Sequence, residues 1–155
     1  MEYIENHNRP EGCVFCREKD LEDGPGNLIV ARGKLAFVIL NRFPYTSGHL
    51  MVVPFSHVPS LEMLTPETRA EMMELATYAL EVLRVVYTPD AFNMGANIGA
   101  AAGAGIAEHV HFHVVPRWSG DTNFMTALDE TRVLPETLPD TYRRIREAWE
   151  SLAQA

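Results

Sequence analysis

No stretch of this 155-residue chain approaches the roughly 18–20 consecutive apolar residues of a membrane span. Positive charge is also scarce: 13 Lys and Arg stand against 21 Asp and Glu, a formal net charge of −8. That balance argues against a broad footprint for nucleic acid or an anionic membrane surface, while a small anionic substrate needs only a few local donors. The opening MEYIENHNRP does not carry the basic-then-apolar pattern of a secretory signal, so a cytoplasmic protein is expected. Repeats, low-complexity tracts and Pro- or Ser-rich linkers do not occur, and one domain over 1–155 is the simplest organisation.

Cysteine is limited to Cys13 and Cys16, a single C-x-x-C. In a reducing compartment such a pair points to metal or redox chemistry before a structural disulfide. It lies ahead of the first strong strand, not at the strand-to-helix junction that a thioredoxin-like pair needs. As a metal site it is half complete, and two ligands are owed.

What the chain does carry is apolar patterning of two periods. Residues 1–12 are polar and expected to be loose. NLIVAR and KLAFVILN read as strands around a Gly33 turn, and SGHLMVVP as a third strand between Gly48 and Pro54. A long helix follows. Thr65 suits its N-cap, Pro66 and Glu67 suit its first turn, and Pro89 stops it. Met72, Leu75, Ala76, Ala79, Leu83 and Val86 recur at helical spacing along it. AFNMGANIG is a fourth strand running into the small-residue loop GAAAGAG. A strand over about 108–115 comes next. A last helix at 138–153 carries Tyr142, Ile145, Trp149 and Leu152 on one stripe. Strands around one long helix, without a βαβ repeat, make an α+β fold. The seven methionines read as core filler and His7 as a surface residue.

The chemistry concentrates in AEHVHFHVVPRW, where three of the six histidines, His109, His111 and His113, fall at alternate positions. On a strand they would line one face, with Val110, Phe112 and Val114 on the other. A cupin-type metal site is one reading, but it wants a further histidine downstream, and none follows His113. Nucleophilic catalysis at phosphorus is the other. A neutral imidazole can attack a phosphoanhydride through one ring nitrogen while the other holds its proton on an acceptor. A neighbouring histidine can donate to the departing oxygen as its charge develops, and a glycine-rich loop brings backbone amides to phosphate.

HVHFHVVPR resembles the signature of the histidine triad superfamily. LNRFPYTSGHLMVVPFSH is similar to that family's upstream segment, and NMGANIGAAAGAGIAEH to its asparagine- and glycine-containing approach. The resemblance runs from about Cys13 to Phe124. Asn41 with its neighbours and PRWSGDTNF look closest to the fragile-histidine-triad and diadenosine-tetraphosphate phosphorylase side.

The resemblance implies an antiparallel sheet packed with the long helix and a C-terminal helix, the sheet extending across a homodimer that could assemble further. It implies cleavage of a nucleotide or dinucleoside polyphosphate through a nucleotidyl–histidine intermediate. His111 would be the nucleophile, and His113 would contact the bridging or leaving oxygen. Asn41 would hold the ribose, with His49 supporting the site from behind. Asn97 and the backbone of Gly103, Ala104 and Gly105 would meet phosphate. Relatives often carry a Ser, Thr or Gln in this loop where this chain has Ala104, Gly105 and Ile106, so backbone donors would have to suffice. Zinc-bearing relatives further imply a structural zinc on Cys13, Cys16, His57 and His109, and no organic cofactor.

The acceptor in the second step would be phosphate, slightly favoured by PRWSGDTNF, or water. Hydrolysis of small adenylylated compounds such as nucleoside phosphoramidates is an alternative. So is a non-catalytic nucleotide-binding or interaction module, against which the intact triad speaks. A uridylyltransferase reading would want glutamine at the third triad position, where this chain has His113. Trp118 could border the substrate pocket or serve a core or dimer contact.

Overall fold

The computed structural model describes residues 12–121 and 136–154. The elements run α1 (Val14–Glu18), β1 (Ile29–Arg32), β2 (Ala36–Leu40), β3 (Leu50–Pro54), α2 (Pro66–Tyr87), β4 (Ala91–Gly95), β5 (Phe112–Arg117) and α3 (Leu138–Ala153). The strands form one antiparallel sheet in the order β1-β2-β3-β5-β4. This is the α+β architecture expected from the sequence, and α3 occupies the range read for the last helix. The expected loose segment at 1–12 lies outside the described residues except for Gly12, as do His7 and the end of PRWSGDTNF.

Residues directly opposite one another in a ladder share a face, and this assigns the two sides of the sheet. His113 pairs with Met51 on one neighbour and Gly95 on the other, so those three share a face. Leu50, Val114 and Met94 point the opposite way. Helix α2 covers that second side against β2, β3 and β5, with Arg84 lying 5.1 Å over the Phe92 ring. The face of α2 that meets the sheet is Thr68, Met72, Ala76, Ala79, Val82 and Leu83, all buried. Leu75 and Val86 flank it, half-buried. Each large apolar side chain fully removed from water contributes about 1.5–3 kcal/mol, and Phe37, Leu50, Leu83 and Ile145 are all in that class.

Both long helices begin as their sequences dictate. The Thr65 hydroxyl accepts from the Thr68 amide at 3.2 Å, and the Thr137 hydroxyl from the Asp140 amide at 3.3 Å. Such caps contribute about 1 kcal/mol each. Helix α3 packs on α2 and β1 through Tyr142 and Ile145. Trp149 makes an edge contact with Tyr78 at 4.7 Å. Glu136, just ahead of α3, accepts from Tyr87 at the end of α2, from Thr141 and from Arg144, which fixes the entry into the helix.

Two details place the site. Gly48 sits at φ +81°, and a Cβ there would lie 2.9 Å from the Tyr87 ring, so only glycine turns the chain into β3 at this point. At the far end of β3, Pro54 pairs with Ala36. The ladder with β5 begins only at Val52–Phe112. The strand expected over 108–115 is therefore shifted, because the Pro54 carbonyl, which a ladder would use, instead accepts a hydrogen bond from the His109 ring. His109, Val110 and His111 form an approach segment ahead of β5, held by the Val110 amide on the Val58 carbonyl at 2.8 Å. The three imidazoles do not line one face of a single ladder strand; only His113 lies in β5. The fourth strand is likewise shorter than AFNMGANIG and ends at Gly95.

Candidate active site and metal centre

Each imidazole in the cluster has one ring nitrogen committed, and the partners fix the protons. His111 Nδ1 lies 2.9 Å from the His109 carbonyl, which can only accept, so Nδ1 carries the hydrogen and the lone pair is on Nε2. Burial pulls the His111 pKa below its ordinary value, which keeps the ring neutral near pH 7. A neutral imidazole with an uncommitted Nε2 lone pair can act as a nucleophile or a base.

His113 has the opposite tautomer, for a reason two residues removed. The Tyr45 amide donates to His49 Nδ1 at 3.1 Å, which leaves the His49 proton on Nε2. His49 Nε2 lies 2.9 Å from His113 Nδ1 and donates to it. His113 therefore carries its hydrogen on Nε2, as a donor. Burial first, and the neighbouring His111 second, push its pKa down to about 4. The His111 and His113 rings meet edge to face with centroids 4.8 Å apart. One neutral acceptor thus stands beside one neutral donor.

His49 is fully buried immediately ahead of β3, the strand next to β5. Asn41 Nδ2 approaches His49 Nδ1 at 3.4 Å, while its Oδ1 accepts from the Phe43 amide at 2.9 Å. Asn41 thus joins the His49 end of the constellation. Gly95 faces His113 across the β4–β5 ladder, and a Cβ built there would meet nothing within 4 Å, which leaves open space beside the imidazole.

Asn97 and the loop that follows lie between β4 and the approach segment. The chain makes a single 3-10 turn over Ala100–Ala102, bounded by Gly99 and Gly103 at positive φ. The Gly103 amide donates to Ala100 and the Ala104 amide to Gly99, so both serve the turn itself. Among the described residues, the Gly105 amide makes no such bond within the turn. Trp118 is half-buried with its ring 6.3 Å from Tyr87, on the α2 side of the fold.

The remaining tautomer concerns His109. Its Nε2 donates to the Pro54 carbonyl at 2.9 Å, so Nδ1 offers a lone pair. That atom lies 3.2 Å from His57 Nδ1, 3.3 Å from Cys13 Sγ and 3.7 Å from Cys16 Sγ, and Cys16 Sγ is 3.4 Å from His57 Nδ1. All four donor atoms fall within 4.8 Å of one another. A tetrahedral ion bound at roughly 2.0 Å to nitrogen and 2.3 Å to sulfur has N–N and N–S edges of about 3.3 and 3.5 Å. The spacings therefore fit a four-coordinate metal ion. Burial and the neighbouring Cys13 raise the Cys16 pKa, so a cation is what makes a thiolate pair stable here.

The sequence pointed to every one of these side chains. It did not point to the Tyr45 amide or to the carbonyls of Pro54 and His109, because main-chain groups have no residue-type signal.

A family model described as the HIT domain matches residues 26–120. An AP-4-A phosphorylase of Mycobacterium tuberculosis is 47% identical over 135 residues, covering 87% of this chain and 69% of that protein. An asymmetrical bis(5'-nucleosyl)-tetraphosphatase of Schizosaccharomyces pombe is 32% identical over 62% of this chain and 52% of its own length. Among solved structures, a zinc-bound histidine triad family protein from Mycobacterium smegmatis has a TM-score of 0.73 at 27% identity, covering 92% of this chain and 96% of that one.

Proposed function

Since this chain belongs to the histidine triad (HIT) family, we propose that it is an enzyme that cleaves dinucleoside polyphosphates such as diadenosine tetraphosphate, with inorganic phosphate as the favoured acceptor. The reading is carried by one observation: an Nε2 lone pair on His111 stands beside an Nε2–H on His113. The phosphorylase assignment draws on the similarity to the M. tuberculosis protein.

In the first step His111 Nε2 attacks the α-phosphorus, and a nucleotidyl–histidine forms as the bond to the bridging oxygen breaks. His113 donates a hydrogen bond from its Nε2–H to that oxygen, which takes up the bonding electron pair and leaves as the nucleoside polyphosphate anion. The His109 carbonyl stabilises the charge that develops on the His111 ring through the Nδ1–H bond. In the second step an anionic phosphate oxygen displaces His111, which departs as the neutral imidazole with its Nδ1–H still on the His109 carbonyl, and a nucleoside diphosphate is released. From diadenosine tetraphosphate the products are ATP and ADP; water as acceptor would give ATP and AMP. Asn41 holds the ribose, and Asn97 with the Gly105 amide meets phosphate oxygens, while Gly103 and Ala104 shape the turn that presents them.

Cys13, Cys16, His57 and His109 hold a structural zinc. Bound there, zinc supplies a cross-link from the N-terminal segment to the approach segment and takes no part in the displacement. The chain works as one domain within a homodimer, in a reducing compartment such as the cytoplasm, where the free cysteine pair stays reduced.

The test is product analysis with diadenosine tetraphosphate, with and without phosphate. ADP and ATP formed only with phosphate support the phosphorylase. AMP and ATP formed without it make the protein a hydrolase. A nucleotidyl adduct located by mass spectrometry elsewhere than His111, or turnover retained in His111→Ala, removes the mechanism.

A further inference from the structure

Phe15 sits in α1 between the two cysteines, and its side chain is buried at 3% exposure. Its ring does not join the aliphatic core alone. It meets the His109 ring edge-on, centroids 5.4 Å apart and planes at 77°, and lies tilted against the His111 ring at 5.0 Å and 55°. One side chain therefore touches both a member of the four-donor cluster and the neighbouring imidazole that no metal would bind.

Among the described residues, the His111 ring has a single hydrogen bond to hold it, from Nδ1 to the His109 carbonyl. A hydrogen bond tolerates tilts of a few tens of degrees, so with only this bond χ1 and χ2 keep room to carry Nε2 through an arc. Flanking contacts must supply the remaining restraint. His113 lies against the ring at 4.8 Å and 70°, and Phe15 supplies a further ring contact from α1. Phe15 has no polar atom and can take no proton, so it acts on His111 by packing alone, through the direction of that ring and its burial.

Its own position is set from outside the core. A five-residue helix has no independent stability. Helix α1 is secured by the flanking cysteines at the cluster and by Asn27 Nδ2 on the Glu18 carbonyl at 3.2 Å. Cys13 and Cys16, three positions apart, meet the cluster from the same turn that turns Phe15 inward.

We infer that Phe15 is a positioning residue for His111, one that ties the direction of the His111 lone pair to the four-donor cluster. The inference rests on the reading of His111 as the nucleophile for its kinetic consequence, but its structural content stands apart from that reading. In Phe15→Ala the cluster keeps its ligands while the His111 ring loses a flank. The larger Phe15→Leu restores apolar volume should the alanine variant fold poorly.

The experiment follows ring nitrogen-15 shifts of His111 by NMR, metal content per chain, and kcat and KM in wild type and both variants. In Phe15→Ala, metal content is expected to stay at the wild-type value and the His111 signals to shift from a fixed Nδ1–H tautomer towards a mixture. A fall in kcat on the order of tenfold with KM within about twofold should accompany it, the size usual for residues that orient a reacting ligand. Phe15→Leu should recover part of both. An unchanged His111 tautomer in folded Phe15→Ala, or in Phe15→Leu should the alanine variant not fold, overturns the inference, as does loss of metal together with activity in both variants, which would make Phe15 a fold residue only. Absence of turnover in the wild type would sink the proposed function instead, and the ligand-free NMR arm would still decide the role of Phe15.

Discussion

His49 Nε2 and His113 Nδ1 are 2.9 Å apart, and the proton between them belongs to His49 because the Tyr45 amide occupies the other nitrogen of the same ring. A main-chain amide thus sets, through two side chains, which nitrogen of His113 faces the bridging oxygen as a donor.

Replacing His49 by alanine should therefore damage stabilisation of the leaving oxygen more than binding. We expect kcat to fall roughly 10–100-fold, as for other groups that orient a reacting imidazole, with KM changed far less. The loss should shrink for substrates whose leaving group carries its negative charge without help, such as a nitrophenyl ester of a nucleotide. Equal losses for good and poor leaving groups would contradict the assignment.

The pH dependence follows from the neutral imidazoles. Burial and His111 push His113 down to about 4, from an ordinary value of 6.5. Between those limits the unfolded chain binds the proton that the folded chain refuses, so stability is full above 6.5 and declines as pH falls towards 4. Burial lowers His111 in the same direction. The acid limb of kcat/KM should accordingly lie below the ordinary histidine range. A pH–rate profile that breaks at 6.5 would show that these rings are solvated in solution.

Loss of one cluster ligand should be felt as loss of metal and of stability together. Cys13→Ser is expected to reduce bound metal well below one ion per chain and to lower Tm by roughly 10 °C, a few kcal/mol for a domain of this size. Metal analysis of protein purified without chelator, followed by calorimetry, checks both. A variant with full metal content would remove Cys13 from the ligand set.

Gly95 offers a test of where substrate lies. It faces His113 on the edge strand with open space in place of a side chain. Gly95→Val should fold, since a β-branched residue suits a strand, yet its methyl groups would stand beside the imidazole. We expect KM to rise on the order of tenfold, the effect of about 1.4 kcal/mol of lost binding. An unchanged KM in a folded variant would place substrate on the other side of His113.

Much of this was legible in the residues themselves. The cap at Thr65, the proline stop after Tyr87 and the apolar stripe of α2 are local signals, and they gave the helix nearly to the residue. The pairing of C-x-x-C with His57 and His109 was readable by resemblance, and the donor atoms do come together. The strand boundary near His109 was not readable. Alternation predicts an extended chain, but whether that chain joins a ladder depends on the carbonyl opposite, and the Pro54 carbonyl is taken by a side chain 55 positions away. The protonation pattern was hidden for the same kind of reason: His109, His111 and His113 are identical as letters and differ only in the partners the fold assigns them.

The acceptors for His109 and His111 are both main-chain oxygens, those of Pro54 and of His109 itself. Every residue type brings a carbonyl, so this part of the site is invisible to exchange of side chains and carries no cost in sequence freedom. What it requires is a backbone path. An alanine scan would credit the histidines with all of the chemistry and the carbonyls with none. Replacing a peptide bond by an ester, which weakens its carbonyl as an acceptor, would reveal their share.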